Sequence, residues 1–317
     1  MLVHAAAPEG PLRLSGEFAV AGRDTHLALS PDGNRLVTRR LGDGGEPRYW
    51  VHDLGQSTAV RLALPPFAAA GGAVWSLDAT FLAIPCLVET GGGLEGRIAL
   101  AAVDGSYCGH LATVARFSYG PGRVAWLPGG PLAFVGSCRP MTWDIYLHWV
   151  TSGEEWLAVP GVLADGLAVH PEGRRVAYST AIRPWRVEIA DLATGERVEV
   201  GRYGAGVTAA LWSPDGGRLA VVHRRHGSDL AAVSVYEAGS GVLVAGTGEI
   251  AWVDPVAGNQ VAWSAGGRHV FLVGGVESGQ PPKAIYRVDG ETGEVTTWLD
   301  LTGGEGEDRL RDLRATL

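Results

Sequence analysis

The tripeptide Asp24-Thr25-His26 places a carboxylate and an imidazole two residues apart. On a β-strand, residues i and i+2 project from one face, so the pair could serve as a general acid and base. A hydrogen-bonded structural histidine is the plainer reading of the same residues. His223 and His226 stand three apart in His223-Arg-Arg-His226. With no third ligand beside them, two imidazoles make a basic loop rather than a metal centre, so no metal is expected.

Arginine is the other residue type with chemical reach. Lys283 is the only lysine among 26 Lys+Arg, and the arginines recur in short polar stretches. Arg39, Arg40 and Arg48 form one group, Arg139 lies near Trp143, and Arg183 and Arg186 flank Trp185. Arg224 and Arg225 precede His226, and Arg123 ends Tyr119-Gly-Pro-Gly-Arg123. A guanidinium grips carboxylate or phosphate through two parallel hydrogen bonds, and an indole offers a stacking face. The competing reading is that these are ordinary solvated charges in a lysine-poor chain, balanced by Asp43, Glu46, Asp144 and Asp229.

Short strands must hold these residues, and the stretch Ala210-Leu-Trp-Ser-Pro-Asp-Gly-Gly-Arg-Leu-Ala-Val-Val222 shows how. Two apolar runs flank a turn in which proline pre-sets φ, aspartate bonds its own backbone and glycine accepts φ > 0. Related turns follow Leu29, Trp75, Trp126, Val169 and Trp263, at spacings of 43–51 residues. The copy at Trp75 lacks the turn glycine, and the copy at Trp126 has glycine in place of aspartate. After each hairpin comes an alternating run ending in an Asp/Gly-rich turn, such as Val187-Glu-Ile-Ala-Asp-Leu-Ala-Thr-Gly195, and then a final short strand. Repeats of about 40–50 residues, each with four short strands, predict an all-β, six-bladed β-propeller of four-stranded antiparallel blades. Helical periodicity is confined to the last ten residues. In this frame Asp165 and Asn259 occupy places like that of Asp24 in later repeats, so they join the acid–base and ligand-binding candidates.

The chain of 317 residues is long enough to bury a core without staples. Cys86, Cys108 and Cys138 form no Cys-x-x-Cys motif, and buried free thiols in a reducing compartment are expected. The N-terminus shows no basic region followed by an apolar run, and no apolar stretch reaches membrane length. The expectation is a cytoplasmic protein, with no membrane partner. A net charge of −8 argues against nucleic acid as a partner, because phosphate contacts call for a basic surface. No Gly-x-Gly-x-x-Gly opens a helix and no Gly-x-Ser-x-Gly elbow occurs, so no cofactor is expected and hydrolase chemistry has no nucleophile motif.

The Trp-Ser-Pro-Asp-Gly-x-x-Leu-Ala pattern, with the later Asp191-Leu-Ala-Thr-Gly-Glu196 turn, resembles TolB-like and WD-repeat-like β-propellers over about residues 26–300. The Gly-His and Trp-Asp dipeptides of true WD repeats are missing, which favours the TolB-like type. The resemblance implies a flexible N-terminus over 1–11, a single propeller over 12–302 and a charged tail over 303–317. It also implies a ring closed by the strand Leu12 to Val20. The Ser-Pro-Asp-Gly turns would lie on one face, and the loops carrying Asp24, Arg39, Arg139, Arg183 and Arg224 on the other, around the mouth of an axial channel. Two functions fit. One is a monomeric, non-catalytic binding or scaffold propeller that meets a protein segment or anionic small molecule on its loop face. The alternative is a lyase, isomerase or cyclase acting through Asp24, His26 and Asp165.

Overall fold

The computed structural model describes residues 24–300 apart from 43, 57, 68, 71, 92, 112–123, 138–142, 182, 254–260 and 276–283. The side chains of 24–27, 69–70 and 165 also lie outside the description. Six sheets follow one another along the chain. The first joins β1 (Asp24–Leu29), β2 (Arg35–Leu41), β3 (Pro47–Asp53) and β4 (Thr58–Arg61) in sequence order. In the second, β5 (Ala69–Ala70) and β6 (Val74–Trp75) share the inner position against β7 (Phe81–Thr90), followed by β8 (Gly93–Ala102) and β9 (Cys108–His110). The third contains β10 (Val124–Trp126), β11 (Leu132–Gly136), β12 (Asp144–His148) and β13 (Glu155–Val159). The fourth contains β14 (Ala164–Val169), β15 (Arg175–Thr180), β16 (Trp185–Asp191) and β17 (Arg197–Tyr203). The fifth contains β18 (Val207–Trp212), β19 (Arg218–Arg224), β20 (Ala231–Glu237) and β21 (Leu243–Gly246). The sixth contains β22 (Val261–Trp263), β23 (His269–Gly274), β24 (Ala284–Asp289) and β25 (Val295–Asp300).

The fold is therefore the all-β, six-bladed propeller of four-stranded antiparallel blades that the repeats predict. No helix among the described residues is long and apolar enough to cross a membrane. The closing strand expected over Leu12 to Val20 and the tail over 303–317 lie outside the described residues. Two compact units divide the chain: one carries the first three sheets and β14, the other β17 and the fifth and sixth sheets.

The repeated turn is built by its serine. Ser76 Oγ donates to Asp78 Oδ1 at 2.6 Å, and Ser213 Oγ to Asp215 Oδ1 at 2.5 Å. The same oxygens accept the backbone N–H that opens the next strand, from Phe81 at 2.8 Å and Arg218 at 2.9 Å. One side chain thus satisfies both ends of the turn, which pins the hairpin register. His170 stands in the serine's place in the fourth sheet, and its Nδ1 accepts the Glu172 N–H at 3.1 Å.

Core lies between neighbouring sheets. Val37, Tyr49 and Val51 of the first sheet pack with Trp75, Leu82, Ile84 and Cys86 of the second. Ile98 and Leu100 of the second pack with Trp126, Leu132 and Phe134 of the third. In the other unit, Val222 and Val233 of the fifth pack with Trp263, Val270 and Leu272 of the sixth. Each such large apolar side chain contributes about 1.5–3 kcal/mol on burial. The tryptophans add a polar clamp. Trp75 Nε1 donates to the Ala28 carbonyl at 2.9 Å, Trp126 to Val74 at 3.1 Å and Trp263 to Leu211 at 3.0 Å. Each bond runs from the end of one inner strand to the inner strand of the sheet before it.

Cys86 is buried and free, as expected, and its thiol donates to the Arg97 carbonyl at 3.4 Å. Cys108 is free but exposed, because the short outer strand β9 leaves it at a sheet edge. Cys138 lies outside the described residues.

Candidate functional site

Asp24 and His26 enter the first sheet on β1. Register is regular from Leu27↔Thr38 onward, but Asp24 pairs with Arg40 and His26 with Arg39. Two residues of β1 thus span one step of β2, with Thr25 as the extra residue of a bulge. A bulge interrupts the two-residue alternation, so the i,i+2 spacing does not by itself align this pair. Their side chains, and that of Asp165 on β14, lie outside the description. Arg123, Arg139 and Asn259 fall outside the described residues.

In the unit holding the first three sheets, the arginines are bound to neighbours. Arg39 hydrogen-bonds the hydroxyl of Tyr49, a side chain with no exposed surface. Arg40 lies over the Trp50 ring, 5.1 Å from its centroid. Arg48 donates to Glu46, as the balanced-charge reading anticipates. Asp144 is otherwise employed: its Oδ1 accepts the Gly161 N–H at 2.6 Å. Trp143, half-buried, immediately precedes β12.

In the other unit, the loop between β15 and β16 turns at a cis Arg183–Pro184 bond and stacks Arg183 on Trp185, with the guanidinium carbon 4.8 Å from the ring centroid. Arg186 sits between Glu188 and Glu199, 3.9 Å from each, so its charge is balanced within its own sheet. Arg183 has no ion pair among the described residues.

Arg224 and Arg225 face a cleft of about 510 Å³ between the loop at Ala205–Thr208 and the loop at Gly227–Asp229. Arg225 Nη2 donates to the Thr247 carbonyl at 3.2 Å, which fixes the guanidinium and leaves its other donors available. Arg224 makes no ion pair among the described residues, and Asp229 is the one carboxylate in the lining. His226 is exposed beside them. Adjacent His223 turns inward. Its Nε2 lies 2.9 Å from Ser234 Oγ and its ring 4.3 Å from that of Tyr203. Burial pulls its pKa down to about 4, so it is neutral near pH 7. Among the described residues no cluster of three His, Cys, Asp or Glu could hold a metal.

A larger cleft, about 790 Å³, opens at the turn end of the second and third sheets. Sequence reasoning passed it over because the Ser-x-Asp turns were assigned to structure alone. The signal was present in the drifted turns after Trp75 and Trp126.

No protein-family profile and no curated protein matches the chain. Solved structures do. A TolB from Agrobacterium tumefaciens superposes with a TM-score of 0.55 at 19% identity, covering 77% of this chain and 87% of that one. The β-propeller domain of the Trilobed protease from Pyrococcus furiosus gives 0.60 at 15% identity, covering 89% and 85%. An oligogalacturonate lyase in complex with manganese gives 0.59 at 13% identity, covering 83% and 76%. At these identities the likeness speaks for fold and not for activity. In fold, the chain is a six-bladed β-propeller.

Proposed function

We propose that this propeller is a non-catalytic binding module that captures an anionic partner, a carboxylate- or phosphate-bearing protein segment or small molecule, on its arginine loops. The observation that carries the reading is the Arg224–Arg225 cleft. Two guanidiniums face one opening, one held by the Thr247 carbonyl and the other without an ion pair among the described residues. Paired guanidiniums suit bidentate capture of planar anions. Arg183 stacked on Trp185 gives the same unit a third cation, pre-ordered by its ring. Ordering before binding lowers the entropic cost of capture.

The test is a titration against arrayed acidic and phosphorylated peptides. The wild-type chain should bind a subset, more weakly as salt rises. The triple variant Arg183→Ala/Trp185→Ala/Arg224→Ala should lose at least tenfold. Equal binding by the triple variant would remove these loops from the proposal.

A further inference from the structure

The six turns are not equivalent in how they meet their neighbours. Arg35 Nη1 reaches from the first turn to the Ala79 carbonyl in the second, at 3.3 Å. Pro128 of the third turn abuts Gly173 of the fourth, where an added Cβ would stand 2.8 Å from Pro128 Cδ. Gly267 of the sixth packs against Pro214 of the fifth, and Arg218 Nη2 bonds Glu291 Oε1 at 3.0 Å. Between the second and third turns no such contact forms among the described residues. Phe81 stands where the first and fifth hairpins have Arg35 and Arg218, and a Cβ on Gly129 or Gly130 would meet nothing within 4 Å. The 790 Å³ cleft opens there.

Its lining has a definite chemistry. Leu77, in the place of the turn proline, is 54% exposed, and Phe81, Tyr107 and Trp126 supply three aromatic rings. Asp78 is the one carboxylate among the lining residues, and neither lysine nor arginine is present there. Hydrogen bonds from Ser76 and Thr80 hold the Asp78 carboxyl below its usual range, so it stays ionised. His110 and His148 complete the polar wall. His110 Nε2 is buried with no hydrogen-bond partner among the described residues, and burial lowers its pKa. Aromatic rings around one carboxylate, with no lysine or arginine beside it, are the chemistry that recognises an organic ammonium group. The volume falls in the range of small-molecule sites.

We propose that the cleft between the second and third turns binds a small organic cation, an ammonium group carried on an aromatic or apolar body. The site is separate from the anion-capturing loops and of opposite charge preference. The drift from proline to leucine at Leu77, and from aspartate to glycine at Gly129, is what opens it.

Calorimetric titration with phenyltrimethylammonium, 2-phenylethanol and 3-phenylpropionate tests the proposal. The cation should bind at least tenfold more tightly than the neutral or anionic compound. Asp78→Asn should reduce that preference about tenfold. Because Asp78 also braces its turn, Leu77→Arg provides a second arm at an exposed position. It should abolish cation binding and admit 3-phenylpropionate, with an unchanged circular dichroism spectrum. Equal binding of the three compounds, or cation binding untouched by Leu77→Arg, would overturn the assignment.

Discussion

Gly173 and Pro128 meet where the turns of the fourth and third sheets touch, and a Cβ on the glycine would approach Pro128 Cδ to 2.8 Å. Gly33, at the matching place in the first sheet, has a similar positive φ (73° against 75°) but open space around the added atom. The two glycines separate a backbone cost from a packing cost. Gly33→Ala should cost only the left-handed conformation, about 1 kcal/mol. Gly173→Ala adds overpacking against a rigid ring and should cost about 2–4 kcal/mol in total. Urea denaturation of both variants measures the difference. Equal costs would mean that the two turns do not press together.

The tryptophan clamp makes a second prediction. Trp263→Phe keeps most of the ring in the core of the fifth and sixth sheets but deletes the bond to the Leu211 carbonyl. A loss of about 1–3 kcal/mol is expected, from the orphaned acceptor and the smaller ring. Trp156 is 51% exposed on β13, so Trp156→Phe serves as the control and should cost under about 0.5 kcal/mol.

The architecture was legible because its determinants are local. Each Ser-x-Asp turn is closed by side chains within five residues, as Ser213, Asp215 and Arg218 show, and six tandem copies specify the blades. Between-sheet chemistry was legible only by half. Tryptophan at the inner-strand ends signals core, but the carbonyl receiving its N–H lies 47–52 residues away and leaves no mark in sequence. The arginine groups were visible as composition, yet Arg48 is balanced by Glu46 and Arg186 by two glutamates, while Arg224 is left unpaired among the described residues. The Arg186–Glu199 pairing depends on cross-strand geometry, whereas Glu46 and Glu188 lie two residues from their arginines. The alternation rule applied to Asp24 and His26 assumed a regular strand, and the bulge between them is a tertiary choice.

Thiol chemistry should separate the two described cysteines. Burial pushes the Cys86 thiol up to about 12, while Cys108, raised by partial burial, is exposed on β9. The thiolate is the reactive form. Iodoacetamide at pH 8 should therefore label Cys108 in the native protein, and Cys86 only after denaturant is added. Peptide mapping reads both sites. Native labelling of Cys86 at a comparable rate would show that the first and second sheets open readily.

Acid should weaken the fold through His223. Its imidazole is held neutral, mainly by burial, with a pKa near 4 against about 6.5 in an unfolded chain. Between those values the unfolded chain binds the extra proton, so stability rises with pH across this window. The contribution is fully present above about pH 6.5 and is lost as pH falls toward 4. The ring is partly accessible, so the loss is about 2 kcal/mol rather than the full difference. Charging the ring would also confine Nε2 to a donor role toward Ser234 Oγ and place a cation against Tyr203. His223→Gln cannot titrate. Its midpoint in urea should lie below that of the wild type at pH 7.5 and converge toward it by pH 4.5. Parallel curves for the two proteins across that range would assign the acid sensitivity to another group.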